Sequence, residues 1–253
     1  RKDMKRIIAV CFMILALCIT GCSLGAAPET GESGENQKQA ESGEEQQEKA
    51  ESTGPVNRET KVADVVSDPD FEGFGQFLFP LDGREADEDM TLENIDSLLP
   101  YHNDIDPDTT VDVINAMKTS VEEGETIFYD IYSEEEKQED PDKENTGLFF
   151  FRGEENAPFA VVNGGGFAYV GAIHESFPHA LELSRQGYNA FALQYRTGGA
   201  DVACEDLAAA ITFIFEHAEE LGVSTDCYSL WGGSAGARMA AYLGSYGPAA
   251  YGG

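Results

Sequence analysis

The sequence predicts an α/β fold, a mostly parallel sheet with flanking helices, carried by the C-terminal part of a 253-residue chain. Three observations predict it. From Ala157 onward, short apolar runs alternate with segments of helical period, the pattern of strands joined by helical crossovers. Gly187 and Gly222 stand where those helical segments should stop. Glycine-rich loops, Asn163-Gly164-Gly165-Gly166 and Gly232-Gly233-Ser234-Ala235-Gly236, follow the first and third apolar runs.

The chain divides into three stretches. Residues 1–22 read as a targeting segment, in which Met4-Lys5-Arg6 is basic and residues 7–19 form an apolar run too short for a comfortable membrane span. The run closes on Ile19-Thr20-Gly21-Cys22, which resembles a bacterial lipoprotein signal with Cys22 as the lipidated residue. An ordinary secretory signal or a short N-terminal anchor is the alternative. Arg1-Lys2-Asp3 are expected to precede the true start at Met4. Residues 23–60 are rich in Glu, Gln, Gly, Ser, Ala and Lys and read as a disordered acidic tether, spanning about 35 Å as a flexible coil. Residues 61–253 hold the folded domain.

Within that domain, 71–81 is aromatic and strand-like, interrupted by Gly73 and Gly75. Thr109 or Thr110 can cap a helix to about Val121, with Val113, Ile114, Met117 and Val121 on one face. Residues 126–132 alternate as a strand, 147–151 form a second, and the acidic stretch 134–145 reads as the loop of an antiparallel pair. Residues 159–163 are the first strand of the alternating region. Pro178 opens a helix to about Arg185. Residues 190–195 are the next strand, and Asp201 should cap a helix carrying Cys204, Leu207, Ile211, Ile214, Ala218 and Leu221 at spacings of three and four. Residues 228–231 are the third strand, and a small-residue helix starts at Ala235.

Charge narrows the partners. With 47 acids against 16 bases, the net charge of −31 argues against nucleic acid, whose phosphates want Lys and Arg. Of the five cysteines, Cys11 and Cys18 lie in the targeting segment and Cys22 is the lipid site. That leaves Cys204 and Cys227, read as two buried thiols or a disulfide. Asp104, Asp106 and Asp108 mimic the opening of a calcium loop, but Thr109 and Asn115 stand where it needs Gly and Glu, so no metal is assigned.

The chemistry resides in the two glycine loops. Gly232-Gly233-Ser234-Ala235-Gly236 fits Gly-x-Ser-x-Gly, a strand-to-helix turn that lifts a serine hydroxyl into a site. Asn163-Gly164-Gly165-Gly166 lets backbone N–H groups approach an oxyanion without side-chain obstruction, a phosphate cradle or plain turn being the alternatives. Together the two motifs resemble the α/β-hydrolase family, in its esterase and lipase branch with a His-Gly-Gly-Gly-type loop, over about 126–253. The resemblance implies Ser234 as catalytic nucleophile and an oxyanion hole from the N–H groups of Gly165 or Gly166 and of Ala235. Asn163 stands in place of the usual His, and should alter the loop's hydrogen bonding more than its donors. Tyr195-Arg196 and Asp206 also resemble this branch, with Asp206 structural. The family's order places the triad Asp or Glu and the His after the serine. His102, His174, His179 and His217 all precede Ser234, so those partners are expected beyond Gly253, the chain being a fragment inactive alone. His174, followed by Glu175, could contact substrate; His179 should neighbour a helix start, and His217 should lie on a helix surface. The implied protein is an exported, membrane-anchored serine esterase acting on a small-molecule ester without a cofactor. A binding lipoprotein or a serine peptidase on the same scaffold is the alternative, and oligomeric state is left open.

Overall fold

The computed structural model describes residues 53–81, 87–98 and 105–253. The targeting segment with Cys22, residues 23–52 of the tether, His102 and Asp104 lie outside the described residues, whereas tether residues 53–60 are described, with Val56 buried and Arg58 paired to Glu93 and Asp108. Seven helices and five strands are named here in chain order: α1 Val62–Val66, α2 Pro107–Glu122, β1 Phe128–Tyr129, α3 Glu134–Glu139, β2 Gly147–Phe151, β3 Pro158–Asn163, α4 Phe177–Arg185, β4 Asn189–Gln194, α5 Ala200–Glu216, α6 Ala218–Leu221, β5 Ser224–Gly232 and α7 Ser234–Tyr246. The strands form one mixed sheet in the order β1-β2-β4-β3-β5. β1 and β2 pair antiparallel, as do β2 and β4, whereas β3 runs parallel to both β4 and β5. The last pairing positions the site: its register sets Asn163 beside Gly232, so the strands deliver both glycine loops to the same end of the sheet.

Strands β2, β3 and β4 are buried almost throughout, because helices cover both faces of the sheet. Successive side chains on a strand point to opposite faces. Phe149 meets Phe177 of α4 with ring centroids 4.7 Å apart. Phe150 stacks on Phe191 at 4.2 Å; Phe191 lies against Phe159, which touches Phe215 of α5. Helices α4 and α5 therefore cover opposite faces; α2 packs on α4 and α7 on α5. Each fully buried ring is worth about 1.5–3 kcal/mol. An exposed pair such as Arg185–Asp112 contributes about 0–1 kcal/mol, so the aromatic stack decides stability. β5 is an edge strand among the described residues, and Tyr228 and Trp231 on it are exposed.

One polar cluster is buried beside this core. Lys118 of α2 places Nζ 2.7 Å from Asp68 Oδ2 and 2.7 Å from Asp70 Oδ2, with all three side chains enclosed. Thr53 also donates to Asp68. The cluster pins the segment before α2, where α1 and three 3₁₀ elements lie among the described residues, to the domain.

Several sequence expectations change. The aromatic stretch 71–81 is not a strand but is built from the 3₁₀ turns Pro69–Phe71 and Gly75–Phe77; a side chain at Gly75 would strike the carbonyl of Val66. The strand expected over 126–132 is limited to Phe128–Tyr129. The acidic stretch 134–145 is α3 plus a 3₁₀ turn, because Ser133 and Glu136 form a reciprocal capping box. Helix α2 begins at Pro107 and is capped by Asp106, whose carboxylate accepts the Thr109 N–H at 2.8 Å. Helix α5 is not capped by Asp201; it begins at Ala200 after Gly198 and Gly199, whose φ of +125° and +151° suit glycine. It breaks at His217, and α6 ends on left-handed Gly222. Cys204 is buried and Cys227 exposed, both as free thiols, so the expectation of two buried thiols holds only for Cys204.

Candidate active site

Ser234 opens α7 immediately after the end of β5 and has φ +46°. Among the described non-glycine residues, it shares positive φ only with Asn156. The left-handed region costs an L-residue roughly 1–2 kcal/mol. Such strain is characteristic of a residue held for its position. The side chain is exposed, so packing does not require it there. A Cβ on Gly232 would collide with the backbone of Gly236, and one on Gly236 would collide with the carbonyl of Asn163 and lie 2.9 Å from the Gly164 oxygen. The two glycine loops thus touch backbone to backbone, which only glycine permits.

The first loop is held from below. The Asn163 side chain is fully buried and its amide donates to the Trp231 carbonyl at 2.9 Å, tying the end of β3 to the end of β5. The Tyr195 hydroxyl, just beyond β4, sits 2.7 Å from the Gly164 oxygen and 2.8 Å from the Gly166 oxygen, sharing its single proton between them. Burial pushes that hydroxyl's pKa well above the usual tyrosine range, with the charge of Glu175 adding, so it remains a donor. All the described peptide bonds are trans. In a trans peptide, N–H points opposite to the preceding C=O, so fixing the Gly164 carbonyl on Tyr195 turns the Gly165 N–H to the opposite side. Ala235 is the second residue of α7, where an N–H has no acceptor within the helix and the helix dipole is positive. Gly165 N–H thus points away from Tyr195, and Ala235 N–H lies in the first turn of α7, at the end of β5 that the register sets beside the first glycine loop.

Tyr195 is itself placed by a buried network. Asp206 of α5 accepts the Arg196 backbone N–H at 2.6 Å, Arg196 Nε at 2.9 Å and the Tyr132 hydroxyl at 2.7 Å, with no exposed surface of its own. This arrangement matches the structural role expected for Asp206. Next to the loop, a cavity of about 410 Å³ is lined by Tyr169, Val170, Tyr195, Arg196, Phe77 and Asn145, among others. The segment before α2 therefore supplies one wall of a pocket beside the candidate oxyanion loop.

The described histidines do not complete a triad. His179 and His217 each turn Nδ1 to a carbonyl one turn back, Glu175 and Phe213 respectively, and His217 stacks on Phe213 at 4.2 Å. His217, expected on the surface of one continuous helix through Leu221, lies instead at the junction where α5 ends and α6 begins. Among the described residues, no hydrogen bond joins Ser234 to a histidine. The His174 side chain is 4 % exposed and places Nε2 3.7 Å from Glu175 Oε1. Of this pair, Glu175 faces the turn: its carboxylate accepts the Gly165 N–H. The sequence names Glu175 only as the neighbour of His174 and assigns it no role. An acid ten positions after Gly165, on the chain leaving the loop, was the available signal.

Residues 152–249 match the family model described as BD-FAE, a span that contains both glycine loops. No curated protein matches the chain. Solved structures that match in part include an acetyl ester-xyloside bifunctional hydrolase from Caldicellulosiruptor lactoaceticus, 27% identical, covering 40% of this chain and 39% of that one with a TM-score of 0.38. MGS-M1, an α/β hydrolase from a Medee basin deep-sea metagenome library, is 24% identical over 40% of this chain and 47% of its own, TM-score 0.38. A bacterial heroin esterase is 27% identical over 38% of this chain and 32% of its own, TM-score 0.35. The chain thus spans less than half the length of each. The parallel β3–β5 pairing and the strained serine turn into α7 both lie within residues 152–249, the span, less than half of the chain, that matches the BD-FAE family model, and they belong to an α/β fold of one mixed sheet with flanking helices.

Proposed function

We propose that this chain is the nucleophile-bearing part of a serine hydrolase of the carboxylesterase or acetyl-esterase type. The observation that carries the reading is the exposed, positive-φ Ser234, set backbone to backbone against the glycine loop. Ser234 Oγ attacks an ester carbonyl, its proton passing to a general base, and the carbonyl oxygen becomes an oxyanion. The N–H groups of Gly165 or Gly166 and of Ala235 receive that charge. Expulsion of the alcohol leaves an acyl-serine, and water then releases the acid and restores the hydroxyl. Export and anchoring through lipidated Cys22 complete the proposal, supported by the basic, apolar and Ile19-Thr20-Gly21-Cys22 order of the first residues.

The test is hydrolysis of a short acyl ester by the full-length protein and by its Ser234→Ala variant. Loss of the nucleophile should lower kcat by roughly four to six orders of magnitude. Equal rates for the two proteins would end the reading.

A further inference from the structure

The carboxylate of Glu175 lies at the first glycine loop. It accepts the Gly165 N–H, one of the expected oxyanion donors. A Cβ built on Gly165 would lie 2.5 Å from Glu175 Oε2, and one built on Gly233 would lie 3.1 Å from that same oxygen and 3.3 Å from Cδ. The carboxylate therefore bridges the glycine loop and the residue preceding Ser234. Its backbone is anchored in the same loop. Glu175 N–H donates to the Gly171 carbonyl at 3.0 Å, and Gly171 N–H donates to the Gly165 carbonyl at 2.9 Å. Glu175 also rides on a single π-helical turn, Ala172–Ser176, a distortion found frequently at functional sites. Its side chain remains about a quarter exposed, which leaves it a way out.

Resting on the serine hydrolase reading, we propose that Glu175 is a resident occupant of the oxyanion seat and that the seat, once Glu175 turns out, binds a small carboxylate. A carboxylate and the oxyanion of a tetrahedral intermediate present the same thing to an N–H donor, a negatively charged oxygen. The side chain thus imitates the acid product from within the protein. Glu175 competes with every acyl group for the Gly165 N–H, and an acyl substrate engages only by displacing it. The carboxyl group at this position is consequently a determinant of which ligands enter: neutral acyl groups exchange with it, and a free acid meets a seat already filled.

The experiment uses the full-length protein as wild type, Glu175→Ala, Glu175→Gln and Ser234→Ala. The rate of covalent labelling by a fluorophosphonate is measured with and without acetate, each variant first being checked for a native thermal transition. Removing a charged acceptor should speed labelling of Glu175→Ala by roughly ten-fold or more. Acetate should then slow that variant at concentrations that leave wild type unaffected. Glu175→Gln, which keeps the volume but offers a neutral acceptor, should fall between the two. Labelling of Glu175→Ala no faster than wild type, or indifferent to acetate, overturns the proposal. Should Glu175→Ala not fold, Glu175→Gln decides it: labelling no faster than wild type overturns the inference. Undiminished labelling of Ser234→Ala, or none in any variant, would instead count against the serine hydrolase reading. Acetate titration of the ¹⁵N-glycine amides then tests the seat separately. The Gly165 resonance should move in Glu175→Ala and not in wild type, and no movement in either overturns the inference.

Discussion

Replacing Tyr195 with Phe deletes one oxygen from a fully buried side chain and little else. The ring keeps its packing, so no cavity term enters. What is lost is the proton shared between the Gly164 and Gly166 carbonyls, which lie 2.7 and 2.8 Å away. Leaving a buried acceptor unsatisfied costs about 1–3 kcal/mol, and one shared proton makes this one such loss rather than two. For a domain of this size, that corresponds to a fall in Tm of roughly 2–4 °C per kcal/mol. The loss should also reach the site, because the Gly164 carbonyl sets the direction of the Gly165 N–H. Urea unfolding of the full-length protein checks the first consequence: the midpoint should drop with an unchanged slope. Fluorophosphonate labelling of Ser234 checks the second, and should slow. A variant as stable as wild type and equally reactive would refute the claim that Tyr195 holds the loop.

Two further predictions concern the frame around the site. Gly236→Ala drives a methyl group into the backbone of Asn163, where no flexible side chain can give way, so overpacking should cost about 1–3 kcal/mol in a denaturant melt and depress labelling of Ser234. The second concerns pH. Burial alone would push the Asp68 carboxyl upward, but hydrogen bonds from Lys118, Thr53 and the Asp70 N–H, together with the Lys118 charge, outweigh it and hold the group below the usual carboxylate range. A group whose folded pKa lies below its unfolded value, about 3.9, stabilises above that value and loses its contribution as pH falls through the folded one. Unfolding free energy should therefore be insensitive to this group above about pH 5 and decline below about pH 4. Lys118→Met, which leaves two enclosed carboxylates without their cation, should cost about 3–5 kcal/mol at neutral pH and regain part of it on acidification. Urea melts between neutral and acid pH distinguish these slopes.

Strands β2, β3 and β4 were legible because a sheet covered on both faces turns each strand into a plain apolar run, bounded by glycine or polar residues. The site motifs were legible for a related reason: Gly232, Gly236 and the loop glycines sit where a Cβ cannot, and steric exclusion leaves a trace in sequence. What failed depended on local geometry. Residues 71–81 carry strand-like aromatics, yet Gly73 at φ +88° and the close pass of Gly75 under Val66 bend them into 3₁₀ turns. The Glu-rich stretch after Ser133 looked like loop because charge conceals the helix period, although the Ser133-to-Glu136 spacing of a capping box was present. Glu175 was missed as a member of the site because its meeting with Gly165 depends on the path of the chain through Gly171 and the π turn, and composition carries no trace of that path.

The backbone of Ser234 sets the interests of folding and chemistry against each other. A glycine there would adopt φ +46° without steric cost, and the exposed hydroxyl contributes no packing in return. Selection for stability alone would erase the serine. Its presence in an otherwise glycine-lined turn is what one expects of a position governed by reactivity, and any effort to stabilise this domain by relieving backbone strain would begin by removing its proposed nucleophile.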